Sequence, residues 1–357
     1  MKVLFDLIHP ANFHYFKYTM EEMANRGHQI RITARNKDVL FALLQNHGYS
    51  FFNMGRSHTG KLNKILYLIK AEIFMFWNFI TFRPDLIISF SSSFAAHNAF
   101  LFHKTHITFD DTEHHKFNRK AYLPFSKIVF TPNCFMLELG DKQIRFPGYM
   151  ELFYLHPKRF MPDKTILKEL GVNEGEKFVL LRFVSWGAFH DIGQSGLTVE
   201  TKINLVNELS KYSKVFISSE GEMTPDLKKY KLPISPEKIH HVMYFASLFI
   251  GEGSTMASEC ALLGTPAVYV NSLELGYMNE LDLRYGLAYN FRTSEGVVEK
   301  AVSLISNSNL KMEAELKRIQ MLKELIDPTK MLIWFIENYP KSLKLLKTDK
   351  DVMKTFK

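Results

Sequence analysis

The chain has 357 residues, of which 46% are hydrophobic, and its formal net charge at pH 7 is +8. The length exceeds that of one ordinary hydrophobic core and allows two domains, while a mean hydropathy of −0.11 is that of a soluble globular protein. The two cysteines, Cys134 and Cys260, argue against a disulfide framework and fit a reducing compartment. The N-terminus enters a strand-like run without the apolar stretch of a secretory signal, so we expect a cytoplasmic protein.

Strand and helix patterns alternate through the first half of the chain. Apolar runs predict strands, and periodic apolar segments that stop at glycine predict helices between them. The predicted strands are 2–8, 29–34, 85–90, 106–109 and 127–131, and the predicted helices are 13–26, 38–47 and 94–102. Strands that alternate with helices form right-handed βαβ units, which build a parallel sheet.

A proline-containing stretch from Pro147 to Pro162 breaks this regularity, and the alternation then restarts. Further strands are predicted at 178–183, 215–218 and 247–250, and further helices at 199–211, 294–306, 310–325 and 328–339. We therefore predict an α/β fold with two doubly wound, Rossmann-like lobes, 1–155 and 156–340, and a basic tail at 341–357. The last helix can return to the first lobe. Ligands of such sheets bind beyond the carboxyl ends of the strands, so we expect a ligand cleft between the lobes.

Two segments bear on contact with membranes. The segment 61–80 is the most apolar of the chain, but Lys70 and Glu72 interrupt it, and its uninterrupted run is too short to span a bilayer. We expect a helix packed on a sheet, with a partly exposed face in peripheral contact with the inner face of the membrane as the alternative. The tail 341–357 holds six lysines, which predicts either a solvated, frayed terminus or attraction to anionic lipid. No nucleic-acid-binding motif accompanies the charge, so no nucleic acid partner is expected.

The stretch 250–270 carries the most informative pattern, in which a strand, a glycine turn, a helix and a second strand follow one another. Its chemistry-bearing residues are Gly251, Gly253, Ser254, Thr255 and Glu259. The glycines permit positive φ and close approach of another molecule, and the serine and threonine are favourable helix N-caps. A helix N-terminus offers unpaired N–H groups to an anion, and a carboxylate one turn further on suits sugar hydroxyls. The pattern predicts a bound nucleoside diphosphate, although similar turns occur in α/β folds that bind no ligand.

A second loop follows the first strand of the second lobe. Arg182 in this loop can neutralise a diphosphate, and His190 beside Asp191 can act as an oriented base. Ser219 follows the next strand and can contact the base of a nucleotide. Neither the GxGxxG pattern nor the Walker A pattern is present, which argues against those two kinds of nucleotide loop.

Polar residues also follow the strands of the first lobe. His9 and His14 lie at the turn after the first strand, and Ser91–Ser93 follow a buried strand and can hold an anion or a sugar. Asp110 and Glu113 belong to a cluster of three carboxylates and two histidines, in which like charges raise one carboxyl pKa and favour acid/base chemistry. An ordinary capped turn and an acidic surface loop are the structural alternatives. No metal-ligand spacing occurs, so neither a metal nor another cofactor is expected.

The turn residues 253–255, Glu259 and the segment 263–266 resemble the nucleotide-binding stretch of GT-B glycosyltransferases and of UDP-N-acetylglucosamine 2-epimerases. The resemblance implies a GT-B-like fold in which the glycine and serine turn binds the diphosphate and Glu259 binds the ribose. First-lobe segments run in the same order as in the epimerases, namely 83–88, 106–110, 118–119 and 130–132. The segments 183–191 and 251–257 are similar, more closely, to a little-characterised prokaryotic domain family of this superfamily, whose members are thought of as surface-polysaccharide proteins.

Three departures weigh against epimerisation. Ser91–Ser93 replace a Gly-Asp-Thr of the epimerases, 182–186 replaces their His-Arg-rich loop, and Asp110 stands where they carry a glutamate. We therefore expect a metal-independent glycosyltransferase that moves a sugar from a UDP-sugar to a surface-polysaccharide or lipid-linked acceptor. Its predicted nucleotide-binding residues are Gly253, Ser254, Thr255, Glu259, Arg182 and Ser219, and its candidate catalytic residues are Asp110, His9, His14, His190 and Glu113.

Two other functions are compatible with the resemblance. A UDP-N-acetylhexosamine 2-epimerase would use acid/base groups around C2 of the sugar, for which Asp110, Glu113 and His190 are the candidates. A non-catalytic member of a polysaccharide assembly would bind the nucleotide sugar without turning it over. Incubation with UDP-N-acetylglucosamine in the absence of an acceptor separates these functions.

Overall fold

The computed structural model describes residues 1–56, 60–184, 196–219, 221 and 223–357, apart from the side chains of Lys61 and Lys350. The chain divides into two compact units. The first unit comprises Met1–Tyr154 and Leu325–Lys357, and the second comprises Leu155–Glu324. Each unit is described by itself.

The first unit contains a seven-stranded parallel sheet with the order β3-β2-β1-β4-β5-β6-β7. Its strands are β1 (Lys2–Leu7), β2 (Gln29–Ala34), β3 (Phe52–Asn53), β4 (Leu86–Phe90), β5 (Thr105–Phe109), β6 (Ile128–Pro132) and β7 (Gln143–Phe146). The central strands are almost wholly buried because helices cover both faces of a parallel sheet, which explains their continuous apolar sequences. The order of the strands reverses between β1 and β4, so the turns after these two strands meet at a topological switch point.

Helices connect these strands. They are α1 (Pro10–Asn25), α2 (Leu40–Asn46), α3 (Lys61–Phe82), α4 (Ser93–Leu101), α5 (Lys116–Tyr122) and α6 (Leu152–Leu155). Helix α1 begins with Pro10, and His9 and Asn12 cap it reciprocally through side chain and backbone. Helix α4 begins after Ser92, whose hydroxyl accepts a hydrogen bond from the N–H of Ala95. Both helix starts at the switch point of the first sheet are therefore capped by their own side chains.

The second unit contains a five-stranded parallel sheet with the order β12-β11-β10-β8-β9. Its strands are β8 (Phe178–Phe183), β9 (Lys214–Ser219), β10 (Leu248–Gly251), β11 (Ala267–Val270) and β12 (Ala288–Phe291). Its helices are α7 (Thr165–Glu169), α8 (Val199–Leu209), α9 (Pro225–Lys228), α10 (Ile239–Phe245), α11 (Ser254–Leu262), α12 (Gly276–Leu283), α13 (Val297–Ser306) and α14 (Leu310–Glu324). Strand order reverses between β8 and β10, which places the turn 251–253 at the switch point of this sheet.

The C-terminal segment belongs to the first unit. Helix α15 (Pro328–Glu337) is joined to the end of α1 by an ion pair of 2.8 Å between Arg26 and Glu337. The basic tail forms α16 (Lys341–Thr348) and a 3₁₀ segment, Lys350–Phe356. The expectation of a frayed terminus is wrong, because the tail carries apolar side chains between its lysines, and these are buried: Leu346, Met353 and Phe356.

Candidate functional site

The turn 251–253 owes its glycines to two different constraints. A Cβ atom on Gly251 would lie 2.8 Å from the Cβ of Arg182 and 2.9 Å from the carbonyl oxygen of that residue. Gly253 has φ of −89° and is the N-cap of α11, and a Cβ there would make only ordinary van der Waals contacts, at 3.8 Å from Cγ1 of Val184 and 4.0 Å from Cγ of Arg182. Neither glycine has the positive φ that the sequence led us to expect. Gly251 instead allows β10 to lie against β8, and Gly253 leaves the helix start uncrowded.

The N-terminus of α11 is open. Gly253 provides no side-chain cap, Ser254 is partly exposed and Thr255 is exposed. Amide groups of the first helical turn have no acceptor within the helix, and the helix dipole gives them positive character. The described geometry therefore offers an anion-binding position at the residues for which the sequence predicted one.

Arg182 lies beside this turn. Its Cγ is 4.0 Å from the position of a Cβ on Gly253, and its Nη1 donates a hydrogen bond of 2.8 Å to Oγ of Ser218. The guanidinium thus lies along the carboxyl edge of β8 and β9. Ser219, at the end of β9, donates from Oγ to the carbonyl oxygen of Gly221 at 3.0 Å. The structure brings Arg182 and Gly253 together, whereas Ser219 lies on the far side of β8 from β10.

Glu259 lies on the buried side of α11. Its Oε1 is 3.0 Å from Nε2 of His240, and the side chain of the glutamate is 7% exposed. The carboxylate therefore does not face bulk solvent, and any ribose hydroxyl would share it with the imidazole. The ribose role of Glu259 stays a prediction. His240 was not predicted, because no local pattern links it to a helix that begins 14 residues later.

Glu252 is the residue of this turn whose role the sequence did not indicate. Its side chain is 0% exposed, and its two carboxylate oxygens accept hydrogen bonds from the N–H of Val184 at 3.0 Å and the N–H of Leu197 at 2.8 Å. Lys202 forms an ion pair with it at 3.2 Å. The single carboxylate of Glu252 thus binds the backbone at residue 184 and at residue 197, next to the start of α11. The three partners lie 50 to 68 positions before Glu252 in the sequence, beyond the reach of any periodic pattern.

Tyr269 is a second residue that the sequence did not indicate. It lies on β11 in register with Gly251 and is buried. Burial raises the pKa of Tyr269, whereas the nearby Ser254 lowers it. The hydroxyl makes no hydrogen bond of ordinary geometry within the described part of the chain. A buried hydroxyl beside Ser254 is therefore available to a group bound at the start of α11.

The first unit contains a cavity of ≈330 Å³ at its own switch point. The lining residues come from the ends of β1, β2 and β4 and from α3, α4 and α5: Ile8, Arg35, Lys64, Tyr67, Leu68, Ser91, Ser92, Ser93, Phe94 and Asn118. Hydroxyls, an amide and two cationic side chains thus surround a space that is otherwise apolar. Such a lining suits a hydroxylated ligand with an apolar part.

Asp6 lies fully buried beside this cavity. Its carboxylate accepts hydrogen bonds from Thr33 at 2.7 Å and from Ser92 at 2.5 Å. Desolvation by burial raises the pKa of Asp6 to about 6, although the two hydroxyl donors lower it. The carboxylate orients the hydroxyl of Ser92, which in turn caps α4.

His9 lies at the switch point of the first sheet as predicted, but its tautomer opposes a role as base. Desolvation and the charge of Lys37 lower the pKa of His9 to about 4, so the ring is neutral at pH 7. Its Nδ1 accepts a hydrogen bond from the N–H of Ala11 at 3.2 Å. A neutral imidazole that accepts at Nδ1 carries its proton on Nε2. The ring therefore presents an N–H donor to a ligand, and the geometry fits binding rather than proton abstraction.

His14 lies on α1 and is partly buried, with its ring 5.2 Å from the ring of Tyr154. It stays a candidate for contact with the acceptor. His190, the other predicted histidine, lies outside the described residues.

Asp110 makes structural contacts through both carboxylate oxygens, and its role as a base stays a prediction. The side chain is buried, and Oδ2 accepts from Nε of Arg119 at 3.0 Å and from the hydroxyl of Tyr122 at 2.5 Å. Its Oδ1 accepts from the N–H of Thr112 at 3.0 Å. Through these contacts the carboxylate ties the loop after β5 to α5.

The other two carboxylates of the acidic cluster, those of Asp111 and Glu113, are also buried. Glu113 is buried and accepts from the N–H of Met136 at 3.1 Å. The pKa of the neighbouring Asp111 is raised well above its ordinary value by burial and by the charge of Glu151. The predicted elevation of one carboxyl pKa thus falls on Asp111, and the acid/base role of Glu113 stays a prediction. Within the described residues, no group of three or more His, Cys, Asp or Glu side chains is arranged to hold a metal ion.

Comparison with known structures defines the class of this fold. The structure of UDP-GlcNAc 2-epimerase from Neisseria meningitidis bound to UDP-GlcNAc matches with a TM-score of 0.62 and 12% identity, over 90% of this chain and 99% of that one. The structure of the glycosyltransferase VinC in complex with dTDP matches with a TM-score of 0.63 and 11% identity, over 97% and 100% of the two chains. The chain thus has the two-lobed α/β fold of GT-B glycosyltransferases and UDP-GlcNAc 2-epimerases, which confirms the predicted fold class.

The chain belongs to the family described as protein of unknown function (DUF354), whose model matches residues 1–341. An uncharacterized protein of Methanocaldococcus jannaschii is 22% identical over 288 residues, which are 77% of this chain and 83% of the relative. The predicted membership of a little-characterised domain family within this superfamily is confirmed.

Proposed function

We propose that the protein is a glycosyltransferase that takes a sugar from a UDP-sugar and transfers it to a hydroxyl of a surface-polysaccharide or lipid-linked acceptor. The observation that carries the proposal is the open N-terminus of α11, where uncapped amides, Arg182 and the buried hydroxyl of Tyr269 converge beside Gly253. Each of these groups donates hydrogen bonds, and together they suit the oxygens of a diphosphate.

The same groups favour departure of the nucleotide. In transfer, the acceptor oxygen forms a bond to C1 of the sugar, the bond between C1 and the diphosphate oxygen breaks, and the acceptor proton passes to a base. Negative charge then increases on the diphosphate. Fixed amides at the start of α11 and the guanidinium of Arg182 stabilise that charge without the help of a metal ion.

The cavity of the first unit is the proposed acceptor site. Ser91–Ser93 and Asn118 offer hydrogen bonds to sugar hydroxyls, while Tyr67 and Leu68 offer apolar surface. His9 is close in sequence to Ile8 of this lining and presents a donor to the acceptor. His14, Asp110 and Glu113 stay the candidates for the base among the described residues.

Isothermal titration with UDP tests the donor site. We expect Tyr269→Phe and Gly253→Val to weaken UDP binding by about tenfold or more, since the first removes one hydrogen bond and the second fills the approach to the amides. Glu299→Gln is the matched control, because Glu299 is exposed on α13 of the same unit and should leave the affinity unchanged. The proposal is refuted if the wild-type protein binds none of UDP, dTDP and ADP.

Incubation with UDP-sugars separates transfer from epimerisation. Release of UDP that depends on an added polysaccharide or lipid-linked acceptor supports transfer. Conversion of UDP-N-acetylglucosamine to a second UDP-sugar without acceptor contradicts transfer and identifies an epimerase. Binding without turnover across an acceptor panel contradicts both activities and identifies a nucleotide-sugar-binding protein.

A further inference from the structure

Helix α3 is apolar on two opposite sides. One side is the stripe Tyr67, Ala71, Met75, Phe79 and Phe82, which recurs every three or four residues and is buried in a core cluster with residues of β1, β4 and α4. This stripe fixes α3 on the sheet, as the sequence predicted. Among the residues that the structure describes, the opposite side packs against no such cluster.

The second side is an exposed apolar stripe, which consists of Leu62, Ile65, Leu66, Ile69, Ile73, Phe76, Trp77 and Ile80. Their exposed fractions range from 38% for Phe76 to 69% for Leu62. At 100° per residue, these eight positions fall within one arc that contains no charged residue, and from Leu62 to Ile80 the arc is about 27 Å long. Exposed apolar surfaces of this length in soluble proteins mark interaction sites.

The exposed stripe continues onto α4. The ring of Phe102 lies 5.3 Å from Phe79 and 5.2 Å from Phe76, so the end of α4 is beside the second half of α3. Phe100 and Leu101 are exposed there, and Phe100 contacts the ring of Phe125 at 5.4 Å. The apolar surface is therefore broader than one helix.

The charges around this surface are positive. Lys70 borders the exposed stripe, and Lys104 follows the exposed end of α4; both are exposed. Glu72 is the one acidic residue in the sequence of α3, and its carboxylate is hydrogen-bonded to His97 at 2.7 Å and to Asn98 at 2.9 Å. An apolar face bordered by lysines is complementary to a partner that has an apolar interior and anionic groups at its surface.

We infer that the exposed stripe of α3, with Phe100 and Leu101, docks onto an anionic lipid bilayer, with α3 in the plane of the membrane. Apolar side chains enter the boundary of the acyl chains, and Lys70 and Lys104 meet anionic headgroups. A second copy of the chain is disfavoured as the occupant, because two such faces would bring like charges together.

The docked helix lies in the membrane plane rather than across it. The segment Leu62–Phe82 is long and apolar enough to cross a membrane, and 33% of its most apolar window is buried within the fold. Crossing would withdraw Tyr67, Ala71 and Met75 from the core cluster that they complete. An in-plane helix keeps that packing and still covers the exposed stripe. Lys64, Tyr67 and Leu68 of α3 also line the cavity of the first unit, so the docked helix forms one wall of this cavity.

Co-sedimentation of the full chain with vesicles tests the inference. We expect binding to phosphatidylcholine vesicles that contain about 30 mol% phosphatidylglycerol, and weaker binding in high salt. The triple variant Ile69→Ser, Ile73→Ser, Trp77→Ser should lose at least about tenfold in partitioning, because three exposed apolar anchors are removed. Lys70→Gln with Lys104→Gln should weaken binding to anionic vesicles alone.

The control is the variant Leu283→Ser, Met312→Ser, Leu316→Ser, which removes three apolar side chains of the second unit that are 59% to 86% exposed, against 53% to 60% for the three positions of α3. It should bind vesicles as the wild type does, and circular dichroism should show that all variants are folded. Absence of wild-type binding to anionic vesicles, or equal binding by the α3 triple variant, overturns the inference. Sedimentation that shows a wild-type dimer which the α3 variant loses also overturns it, in favour of a second copy.

Discussion

Glu252→Gln is the sharpest perturbation that the structure offers. The substitution keeps the shape of the side chain but leaves one acceptor oxygen where two now serve the N–H groups of Val184 and Leu197. One of these N–H groups then faces an NH₂ donor, and Lys202 loses its counter-charge at 3.2 Å. The glutamine oxygen can accept from only one of these two N–H groups, so the backbone at either residue 184 or residue 197 loses its hydrogen bond to residue 252.

The magnitude follows from the burial of the carboxylate. A hydrogen bond to a charged group contributes about 1.5–3 kcal/mol, and a buried donor left without an acceptor costs about 1–3 kcal/mol. Removal of one partner from a buried ion pair costs about 3–5 kcal/mol when the remaining charge is fully enclosed. Lys202 retains 16% exposure, so the lower part of this range applies. We expect Glu252→Gln to lower the local opening free energy at the loop ends by about 2–3 kcal/mol.

Hydrogen exchange measures this opening directly. A loss of about 2–3 kcal/mol speeds exchange of the amides of Val184 and Leu197 by about 30- to 150-fold, because each 1.36 kcal/mol is a factor of ten. The exchange is followed by mass spectrometry of the peptides at the end of β8 and the start of α8, and Glu299→Gln is again the exposed control. If the backbone at residues 184 and 197 supports the nucleotide site, loss of its hydrogen bonds to residue 252 should also weaken UDP binding. Exchange that is unchanged within about threefold would refute the role of Glu252 as the common anchor.

Other substitutions test further parts of the argument. Gly251→Ala should lower the free energy of unfolding by about 1–3 kcal/mol, because its Cβ overlaps β8, whereas Gly253→Ala should be near neutral; equal losses in urea denaturation contradict this distinction. The folded-state pKa of Asp6 is raised from 3.8 to about 6, so the folded chain binds this proton more tightly and stability falls by about 3 kcal/mol as pH rises from about 4 to about 6. Asp6→Asn should flatten that fall, and an unchanged pH dependence of the urea midpoint contradicts it. Arg119→Met leaves Asp110 buried without its cation and should cost about 3–5 kcal/mol, and a loss below about 1 kcal/mol in the same measurement contradicts the structural role of this pair.

Much of the fold follows from local sequence patterns. The predicted strands 29–34 and 178–183 coincide with β2 and β8. Strand β8 is a nearly continuous apolar run because it is almost wholly buried, whereas β2 alternates apolar and polar residues and is buried only in its second half. The predicted helix after the glycine turn is α11, but its N-cap is Gly253, and Ser254 and Thr255 lie within the first turn instead of capping it. These features depend on interactions within a few residues, which a sequence pattern records.

The roles of single polar residues depend on contacts that no local pattern records. Asp110 lies at the carboxyl end of β5, where catalytic groups are expected. Its ion pair with Arg119 of α5 depends on the packing of that helix beside the strand, which no local pattern records. Glu252 resembles a solvent-exposed turn residue in the sequence, yet its partners come from two segments at the ends of another loop. The apolar segment of α3 likewise predicted a packed helix. Hydropathy alone does not tell which apolar side chains of α3 are buried in the core and which stay exposed.

The two switch points differ in a way that supports the proposed assignment of the donor to the second unit and of the acceptor to the first. In the first unit, the helix starts are occupied by their own side chains, since His9 caps α1 and Ser92 caps α4. Beneath them lies Asp6, whose charge opposes a bound anion. In the second unit, Gly253 leaves the start of α11 uncapped, and Arg182 lies beside it. A phosphate is therefore favoured at the start of α11. At the first switch point both helix starts are capped, and the cavity there, lined by serine hydroxyls together with Arg35 and Lys64, suits a hydroxylated ligand.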